Sequence, residues 1–493
     1  MGAFLDAYLS KEKKNSPDKG AVAYLATLDF LAQDHPEMVD SVVKELKDQR
    51  NHIKLIASEN YSSLATQLAM GNLLTDKYSE GKVGHRFYAG CENVDNIERK
   101  ACDELIKIFG CDHAYVQPHS GADANLIAYW AILTEKIQNP LIEKLNKKSV
   151  DQLTDEEYET VRNQLSKGKL LGMSLASGGH LTHGYRHNVS SKMMQAFTYD
   201  VDPTTEMIDY AALDKQAKEV RPTVLVAGYS AYPRNINFAK MKEIAAGCGA
   251  TLLVDMAHFS GLVAGKVMKG EYNPIAYADI VTSTTHKSIR GPRGGMILCK
   301  QAYAEAVDKG CPMVIGGPLP HVMAAKLVAF KEANTPDFCS YAARIVENAQ
   351  ELAKNFLQKD VKLFTGGTDN HLLVIDVKTS YGLTGRQAET ALNQGGLTVN
   401  RNMIPFDTEG PWYTSGIRIG TPAITTRGFG KEEMVEIANL IHLVLTNTSR
   451  ATVVKTGMPS RAKVRIEARV LEEVKSRVAA LLGRHPLYPE LEV

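Results

Sequence analysis

The chain has 493 residues, of which 44% are hydrophobic and 23% are charged. These values are typical of globular proteins and exclude a collagen-like, low-complexity or wholly disordered chain. Lys and Arg number 57 against 56 for Asp and Glu, so the net charge is only +1. We therefore expect no nucleic-acid partner and no attraction to anionic membranes.

The cysteines and the N-terminus indicate a cytoplasmic protein. The seven cysteines are an odd number with no C-x-x-C pair, which favours free thiols in a reducing compartment. The first residues, MGAFLDAYLSKEKKN, lack the apolar core of a signal peptide, and no run of about 18 apolar residues predicts a membrane-spanning helix.

The length predicts about three structural units. We expect an N-terminal segment over 1–70, a large domain over 71–333 and a smaller α/β domain over 334–493. Residues 96–110 predict an amphipathic helix, followed by the short strand AYVQPHS. The charged stretch at about 135–169 predicts a helical surface insertion, with a capping box at Thr154 and Glu157.

Strands and helices alternate most clearly between Arg221 and Cys299. The runs TVLVAGYS, ATLLVDMAH, ADIVTSTTHK and GGMILC predict buried strands, and AKMKEIAAGCG predicts a helix between the first two. This alternation predicts a largely parallel sheet covered on both faces. Further on, HLLVIDVK and GIRIGTPAITTRG predict strands, and helices are predicted from Thr384, from about Lys431 and throughout SRAKVRIEARVLEEVKSRVAALL.

Polar residues follow three of the predicted strands. Asp255 ends one strand, Lys287 follows the next, and Ser120 lies just before a helical segment. Ligands of open α/β sheets bind beyond the carboxyl ends of the strands, and a helix start binds anions. The carboxylate suits a pyridine nitrogen, the lysine suits a Schiff base and the helix start suits a phosphate. Together these features suggest pyridoxal phosphate. Each feature alone also fits an ordinary cap, an exposed lysine or a turn, so the residues by themselves indicate only a lysine-aldimine enzyme.

Longer motifs resemble serine hydroxymethyltransferase, a fold type I pyridoxal-phosphate enzyme. TSTTHKSIRGPRGG is similar to the family's lysine loop, and other motifs occur in the family's order across most of residues 52–430: LIASENYSS, YSEGKVGHRFYAGCENVD, VQPHSGADAN, SGGHLTHG, GYSAYPR, VDMAHFSGLVAG and SGIRIGTPAITTRG. The resemblance implies an α/β, mostly parallel large domain like that of aspartate aminotransferase, with a smaller C-terminal α/β domain.

The resemblance also assigns cofactor roles to matching positions. Lys287 would carry the Schiff base, Asp255 would pair with the pyridinium nitrogen, and His180 would stack on the ring. Ser230 and His258 would lie near the phenolic oxygen. The phosphate would be held by Ser120, Gly121 and His286 and, across a homodimer interface, by Tyr78, Gly316 and Gly317.

Substrate roles follow from the same resemblance. Arg418, assisted by Ser58, would bind the substrate carboxylate through a bidentate fork that lysine does not reproduce. Glu80 and Tyr88 of the partner subunit would face the substrate side chain and the folate, with Glu80 transferring protons. Gly179, Leu181 and Asn402 match positions that line the pteridine pocket.

The implied reaction is the reversible transfer of the serine hydroxymethyl group to tetrahydrofolate through a cofactor quinonoid. Its products are glycine and 5,10-methylenetetrahydrofolate. Three departures from the family pattern bear on it: Phe87 replaces a tyrosine beside the folate, Ala122 replaces a serine of the phosphate loop, and CPMVIGGP lacks the usual glycine pair. We expect them to bear on folate affinity and phosphate binding more than on the type of reaction.

Two other functions remain open from the sequence. A folate-independent pyridoxal-phosphate enzyme, such as a threonine aldolase or alanine racemase, would share Lys287, Asp255 and Arg418. A non-catalytic pyridoxal-phosphate-binding protein would not need the full set of reactive residues. A serine hydrolase is excluded because no G-x-S-x-G motif is present. His183 and His187 have no carboxylate or cysteine at ligand spacing, so we expect them to be core or surface residues and expect no metal.

Overall fold

The computed structural model describes residues 3–11, 17–453 and 457–491. The expected N-terminal segment and C-terminal domain therefore include a few residues outside the described part. The N-terminal region contains α1 (Ala3–Lys11), α2 (Lys19–Leu31), α3 (Pro36–Asn51), β1 (Ile53–Lys54), α4 (Leu64–Leu68), a 3-10 helix (Leu73–Asp76) and the paired strands β2 (Gly81–Lys82) and β3 (His85–Arg86).

The central region is built on one seven-stranded sheet. Its strands are β4 (His113–Tyr115), β5 (Lys169–Met173), β6 (Gln195–Tyr199), β7 (Val224–Gly228), β8 (Thr251–Asp255), β9 (Ile280–Thr284) and β10 (Gly295–Cys299). Its helices are α5 (Glu92–Phe109), α6 (Gly121–Leu133), α7 (Asn139–Lys144), α8 (Asp155–Leu165), α9 (Ser190–Met193), α10 (Tyr210–Val220), α11 (Phe238–Cys248), α12 (Ser260–Ala264), α13 (Gln301–Asp308), α14 (Gly310–Met313) and α15 (Pro320–Ala333).

The strand order is β4-β10-β9-β8-β7-β5-β6, and only β10 runs against the others. Every residue of β7, β8, β9 and β10 is buried, which explains the mainly apolar runs of β7, β8 and β10; β9 also buries the polar residues Thr282, Ser283 and Thr284. The prediction of an α/β fold with a mostly parallel sheet is therefore confirmed.

The C-terminal region surrounds a smaller sheet. It contains α16 (Pro336–Leu357), β11 (Leu372–Asp376), α17 (Val377–Tyr381), α18 (Gly385–Gln394), β12 (Leu397–Thr398), β13 (Asn400–Asn402), β14 (Gly416–Gly420), α19 (Pro422–Thr426), α20 (Lys431–Thr446), β15 (Thr448–Thr452), β16 (Pro459–Ile466) and α21 (Ala468–Arg484). Strands β11, β14 and β13 form an antiparallel sheet, while β12 pairs with β1 from the N-terminal region.

The expected helix over SRAKVRIEARVLEEVKSRVAALL is wrong in its first part. Residues up to Ile466 form β16, which pairs antiparallel with β15. Val464 and Ile466 alternate with more exposed side chains and pack against the core of the C-terminal region, so a strand buries them where a helix would not. The helix begins only at Ala468.

Local sequence signals set several boundaries as expected. Thr154 and Glu157 form the capping box of α8, and Thr384 with Gln387 forms that of α18. The first helix of the central region starts at Glu92, four residues earlier than expected. In the stretch at 135–169, a π-helical turn (Thr134–Gln138), α7, a 3-10 turn (Val150–Gln152) and α8 precede β5.

All seven cysteines lie in the described part of the chain and carry free thiols. Among the described residues, the structure contains no helix that is both long and apolar enough to cross a bilayer.

Candidate active site

The predicted site residues lie at the carboxyl edge of the central sheet. Asp255 is the last residue of β8, Ser230 follows the end of β7 by two residues, and Lys287 follows the end of β9 by three. Parallel neighbouring strands end at the same edge, so these side chains converge. The charges of Asp255 and Arg418 both act on the pKa of the Lys287 amine.

The carboxylate of Asp255 is buried and held by three donors. Asn125 Nδ2 donates to Oδ2 at 2.9 Å, His183 Nε2 lies 3.0 Å from the same oxygen, and the Ala257 amide donates to Oδ1 at 3.0 Å. Burial raises the pKa of Asp255, but the hydrogen bonds from His183 and Asn125 oppose this effect, and the pKa lies below its usual range. Asp255 is therefore ionised at neutral pH.

The tautomer of His183 follows from its two contacts. Its Nδ1 accepts a hydrogen bond from the backbone amide of His180 at 3.2 Å, so Nε2 carries the proton and donates to Asp255. His183 is 1% exposed, and its ring has one fixed role. His183 is a core residue, one of the two expected locations, and the fold brings the Asp255 carboxylate to it from 72 residues away, which sequence spacing did not indicate.

Lys287 is partly buried at the centre of the site. Burial lowers its pKa to about 8; the charges of Arg418 and Arg293 act in the same direction, and Asp255 opposes them. Its backbone carbonyl accepts a hydrogen bond from Asn60 Nδ2 at 3.0 Å. An amine with a pKa near neutral supplies the unprotonated form that a Schiff base requires.

Three histidines around Lys287 are kept neutral. Burial lowers the pKa of His180 to about 4 and that of His371 to about 3, and it holds the pKa of His258 well below its usual range. His258 Nδ1 lies 3.2 Å from His371 Nε2, and their ring centroids are 5.4 Å apart. His371 was not singled out from the sequence; its Nδ1 has no hydrogen-bond partner among the described residues.

The start of α6 carries Ser120 and Gly121, which were expected to bind the phosphate. Ser120 is the N-cap, and its Oγ accepts from the Asp123 amide at 3.1 Å. A Cβ on Gly121 would lie 2.6 Å from Thr284 Cγ2, so only glycine allows the helix start to approach the end of β9 this closely. His286 Nδ1 accepts from the Gly294 amide at 3.4 Å. Burial lowers the pKa of His286 to about 3, so the ring is neutral.

Arg418 on β14 offers an unpaired charge to the site. Its Nη1 donates to the Ser230 carbonyl at 2.6 Å and its Nε to Asn400 Oδ1 at 3.2 Å. Among the described residues no carboxylate forms an ion pair with Arg418, and burial lowers its pKa to about 10, which leaves it charged. This is the arrangement expected for a guanidinium that binds a ligand carboxylate.

The residues expected to line the folate pocket come from separate segments of the chain. Leu181 opens the 3-10 helix Leu181–His183 and is 43% exposed, while Gly179 passes so close to Met173 that a side chain would clash with its carbonyl. Asn402 ends β13 and donates to the Met403 carbonyl at 2.6 Å. Ser58 is half-buried in the segment between β1 and α4.

A second group of predicted residues lies beside the phosphate loop of the same chain. Tyr78 packs against Gly317: a Cβ added to Gly317 would lie 3.0 Å from Tyr78 Cζ. The ring centroids of Tyr78 and Tyr88 are 5.0 Å apart. The charge of Glu80 is the main cause of a raised Tyr78 pKa. The Gly317 carbonyl, next to Gly316, lies 3.1 Å from His119 Nε2, one residue before Ser120. Tyr78, Tyr88 and Phe87 are 55%, 45% and 69% exposed.

The groups at this edge of the sheet suit pyridoxal phosphate. An ionised carboxylate suits a pyridinium nitrogen, a lysine with a lowered pKa suits an aldehyde, and a glycine-lined helix start suits a phosphate. Ligand atoms of His180, His183 and Asp255 also lie within 4.8 Å of one another, a spacing open to a metal ion. The same Asp255 carboxylate would serve either group.

A mostly parallel α/β sheet with this lysine, carboxylate and helix start defines a fold type I pyridoxal-phosphate enzyme. The family model of serine hydroxymethyltransferase matches residues 31–142 and 146–441. The chain is 54% identical over 488 residues to a serine hydroxymethyltransferase of Treponema pallidum, covering 99% of this chain and 85% of that protein. It is 53% identical over 476 residues to one of Cutibacterium acnes, covering 97% of each. It is also 53% identical over 495 residues to one of Chlamydia trachomatis serovar L2, covering 100% and 99%. The chain belongs to the serine hydroxymethyltransferase family.

Sequence reasoning missed the supporting roles of four residues: Asn125, His183, His371 and Asn60. Asn125 and His183 lie inside motifs already noted, VQPHSGADAN and SGGHLTHG, so the motifs marked the right segments. Asn60, in LIASENYSS, contacts a residue 227 positions away, which no local pattern indicates.

Proposed function

We propose that this chain reversibly transfers the hydroxymethyl group of serine to tetrahydrofolate, yielding glycine and 5,10-methylenetetrahydrofolate, with pyridoxal 5'-phosphate as cofactor. The observation that carries the proposal is the convergence of Lys287, ionised Asp255 and unpaired Arg418 at one sheet edge. Together these groups match a cofactor aldehyde, a pyridinium nitrogen and an amino-acid carboxylate.

When bound, pyridoxal phosphate supplies an electron sink for the bonds at the substrate Cα. Asp255 would hold a proton on the ring nitrogen, and its carboxylate is ionised because His183, Asn125 and the Ala257 amide donate to it. His183 thus positions the carboxylate without acting on substrate. His180, neutral at physiological pH, lies against the ring face in this proposal.

Lys287 would hold the cofactor aldehyde through its amine, and the substrate amine would take the place of the lysine amine. Its pKa of about 8 makes the amine available without strong base, and Asn60 fixes the backbone from which it projects. Ser230 and His258 would lie near the phenolic oxygen. His258 is neutral, so it offers a hydrogen bond there without placing a second charge beside Lys287.

Arg418 orients the amino acid by its carboxylate, with Ser58 as a second donor. Because Arg418 is anchored by the Ser230 carbonyl and Asn400, its free donors point in a fixed direction. Gly179, Leu181 and Asn402 line the pteridine side.

The phosphate is bound by Ser120, Gly121 and His286. The neutral His286 contributes a hydrogen bond only, so the helix start supplies most of the stabilisation of the negative charge. Ala122 provides an amide in this turn but no hydroxyl.

We also propose a homodimer with a shared site. Tyr78, Gly316 and Gly317 would contact the partner's phosphate, and Glu80 and Tyr88 would face its substrate, with Glu80 moving the proton of the serine hydroxyl. The exposed aromatic side chains of Tyr78, Tyr88 and neighbouring Phe87 support this, since such a patch suits an interface.

The proposed domains are 1–70, 71–333 and 334–493, and the proposed compartment is the cytoplasm. Two large hydrophobic clusters support the division: one surrounds the central sheet, and the other surrounds β11 and β14. Free thiols support the compartment.

The test is conversion of serine to glycine by the cofactor-loaded protein at increasing tetrahydrofolate. We expect a rate that rises steeply with tetrahydrofolate and saturates, and Leu181→Asp should raise the apparent KM for folate without affecting cofactor loading. Cleavage of threonine or racemisation of alanine as the main reaction, indifferent to folate, would instead identify the folate-independent class.

A further inference from the structure

Lys326 on α15 is a buried lysine outside the residues assigned so far. It is 2% exposed, and its Nζ donates to three backbone carbonyls: Val116 at 2.6 Å, Pro118 at 2.9 Å and Gly295 at 2.9 Å. An ammonium group has three donors, so these carbonyls satisfy all of them.

The three carbonyls belong to the two segments that flank the phosphate site. Val116 and Pro118 lie between β4 and Ser120, while Gly295 begins β10, directly after the Lys287 loop. The segments also bond to each other, because the Gly295 amide donates to the Pro118 carbonyl at 2.9 Å. Lys326 therefore joins both sides of the cofactor's phosphate end.

Gly294 leaves the space that the Lys326 side chain occupies. A Cβ on Gly294 would lie 2.5 Å from Lys326 Cε and 2.9 Å from Nζ, so glycine at this position leaves room for the lysine. The Gly294 amide donates to His286 Nδ1, so the same residue connects Lys326 to a proposed phosphate ligand.

The charge of Lys326 lacks a direct partner. Among the residues described, none forms an ion pair with it; the neighbouring Glu98 is engaged by Arg86 and Gln117. Burial lowers the pKa of Lys326 to about 7, and Glu98 and Asp123 oppose that shift only in part. A buried cation without a counter-ion is costly, and an anion bound at the adjacent helix start would offset that cost.

We propose that Lys326 is a positioning residue for the cofactor phosphate: its ammonium group holds the Ser120 segment and the Lys287 loop together and supplies positive charge behind the phosphate. This inference rests on the proposed function only for the identity of the cofactor. It does not depend on serine or folate chemistry.

The experiment compares two ligands that differ only in the phosphate. Apoenzyme is titrated with pyridoxal phosphate and with pyridoxal, and the dissociation constants are read from absorbance and intrinsic fluorescence. Variants are Lys326→Met, Lys326→Gln and Lys326→Arg; the matched control is Lys331→Met, an exposed lysine later on the same helix. Circular dichroism checks the fold.

We expect Lys326→Met and Lys326→Gln to raise the dissociation constant of pyridoxal phosphate about tenfold or more, as loss of a buried charge near an anion predicts. The dissociation constant of pyridoxal should rise less than about threefold. Lys326→Arg should keep much of the preference for the phosphorylated ligand, and Lys331→Met should match the wild type. An equal rise in the dissociation constants of both ligands, or no rise in either, would overturn the proposal. Failure of all three Lys326 variants to fold would also overturn it and assign the residue to stability alone. If the wild-type protein binds pyridoxal phosphate more tightly than pyridoxal but does not convert serine, the result would count against the proposed function and not against the role of Lys326.

Discussion

His183→Phe removes the Nε2 donor from Asp255 while keeping a ring of similar size in a site that is 1% exposed. A hydrogen bond to a charged group contributes about 1.5–3 kcal/mol, which corresponds to about 10- to 100-fold in an equilibrium constant. Asn125 and the Ala257 amide still hold the carboxylate, so we expect the lower end of this range.

The pKa of Asp255 should rise, and its pairing with the cofactor nitrogen should weaken. We therefore expect the dissociation constant of pyridoxal phosphate to increase about tenfold. We also expect kcat to fall, because a weaker pairing between Asp255 and the cofactor nitrogen makes the cofactor a poorer electron sink. The KM for serine should change little, since Arg418 is untouched.

The assays are a pyridoxal-phosphate titration of the apoenzyme and steady-state kinetics at saturating cofactor. His183→Gln, which retains a side-chain N–H donor, should recover part of the loss, and His187→Phe, at an exposed position, should behave as wild type. If His183→Phe has native thermal stability but unchanged cofactor affinity and kcat, His183 does not support Asp255 and the reasoning is refuted.

Four further predictions follow from the site. Lys287→Ala should abolish the visible absorbance of lysine-bound cofactor; retention of that absorbance would place the attachment elsewhere. Arg418→Ala should raise the KM for serine at least about tenfold, as loss of a charge-assisted contact predicts, while cofactor affinity stays near wild type, and Arg418→Lys should not restore it; unchanged serine kinetics would contradict this role. Active enzyme should have the mass of a dimer or a larger assembly by light scattering, so an active monomer would refute the shared site. Finally, His371 has a pKa of about 3 when folded and near 6.5 when unfolded, so the unfolded state binds more protons between these values and stability falls as pH drops through that window. His371→Gln should lower this slope by about 1.4 kcal/mol per pH unit in urea unfolding of the apoenzyme between pH 6 and 4, and equal slopes would contradict it.

Local patterns predicted much of the architecture. The mainly apolar runs of β7, β8 and β10 and the β-branched run of β9 identified buried strands, and Thr384 located a helix start. These features depend on residues close together in sequence, so composition and spacing suffice to predict them. The error at β16 arose because helix and strand compete in a charged segment, and pairing with β15 decided the outcome.

The sequence alone determined the sheet class, the strand ends carrying Asp255 and Lys287, and the motifs that resemble the family. Only the tertiary structure decided which distant groups meet these residues: His183 at Asp255, Asn60 at the Lys287 carbonyl and Lys326 between the two phosphate segments. The partners in these pairs are 72, 227 and 210 residues apart. Strand order and helix packing bring such residues together, and those depend on burying the whole core, which no short stretch of sequence specifies.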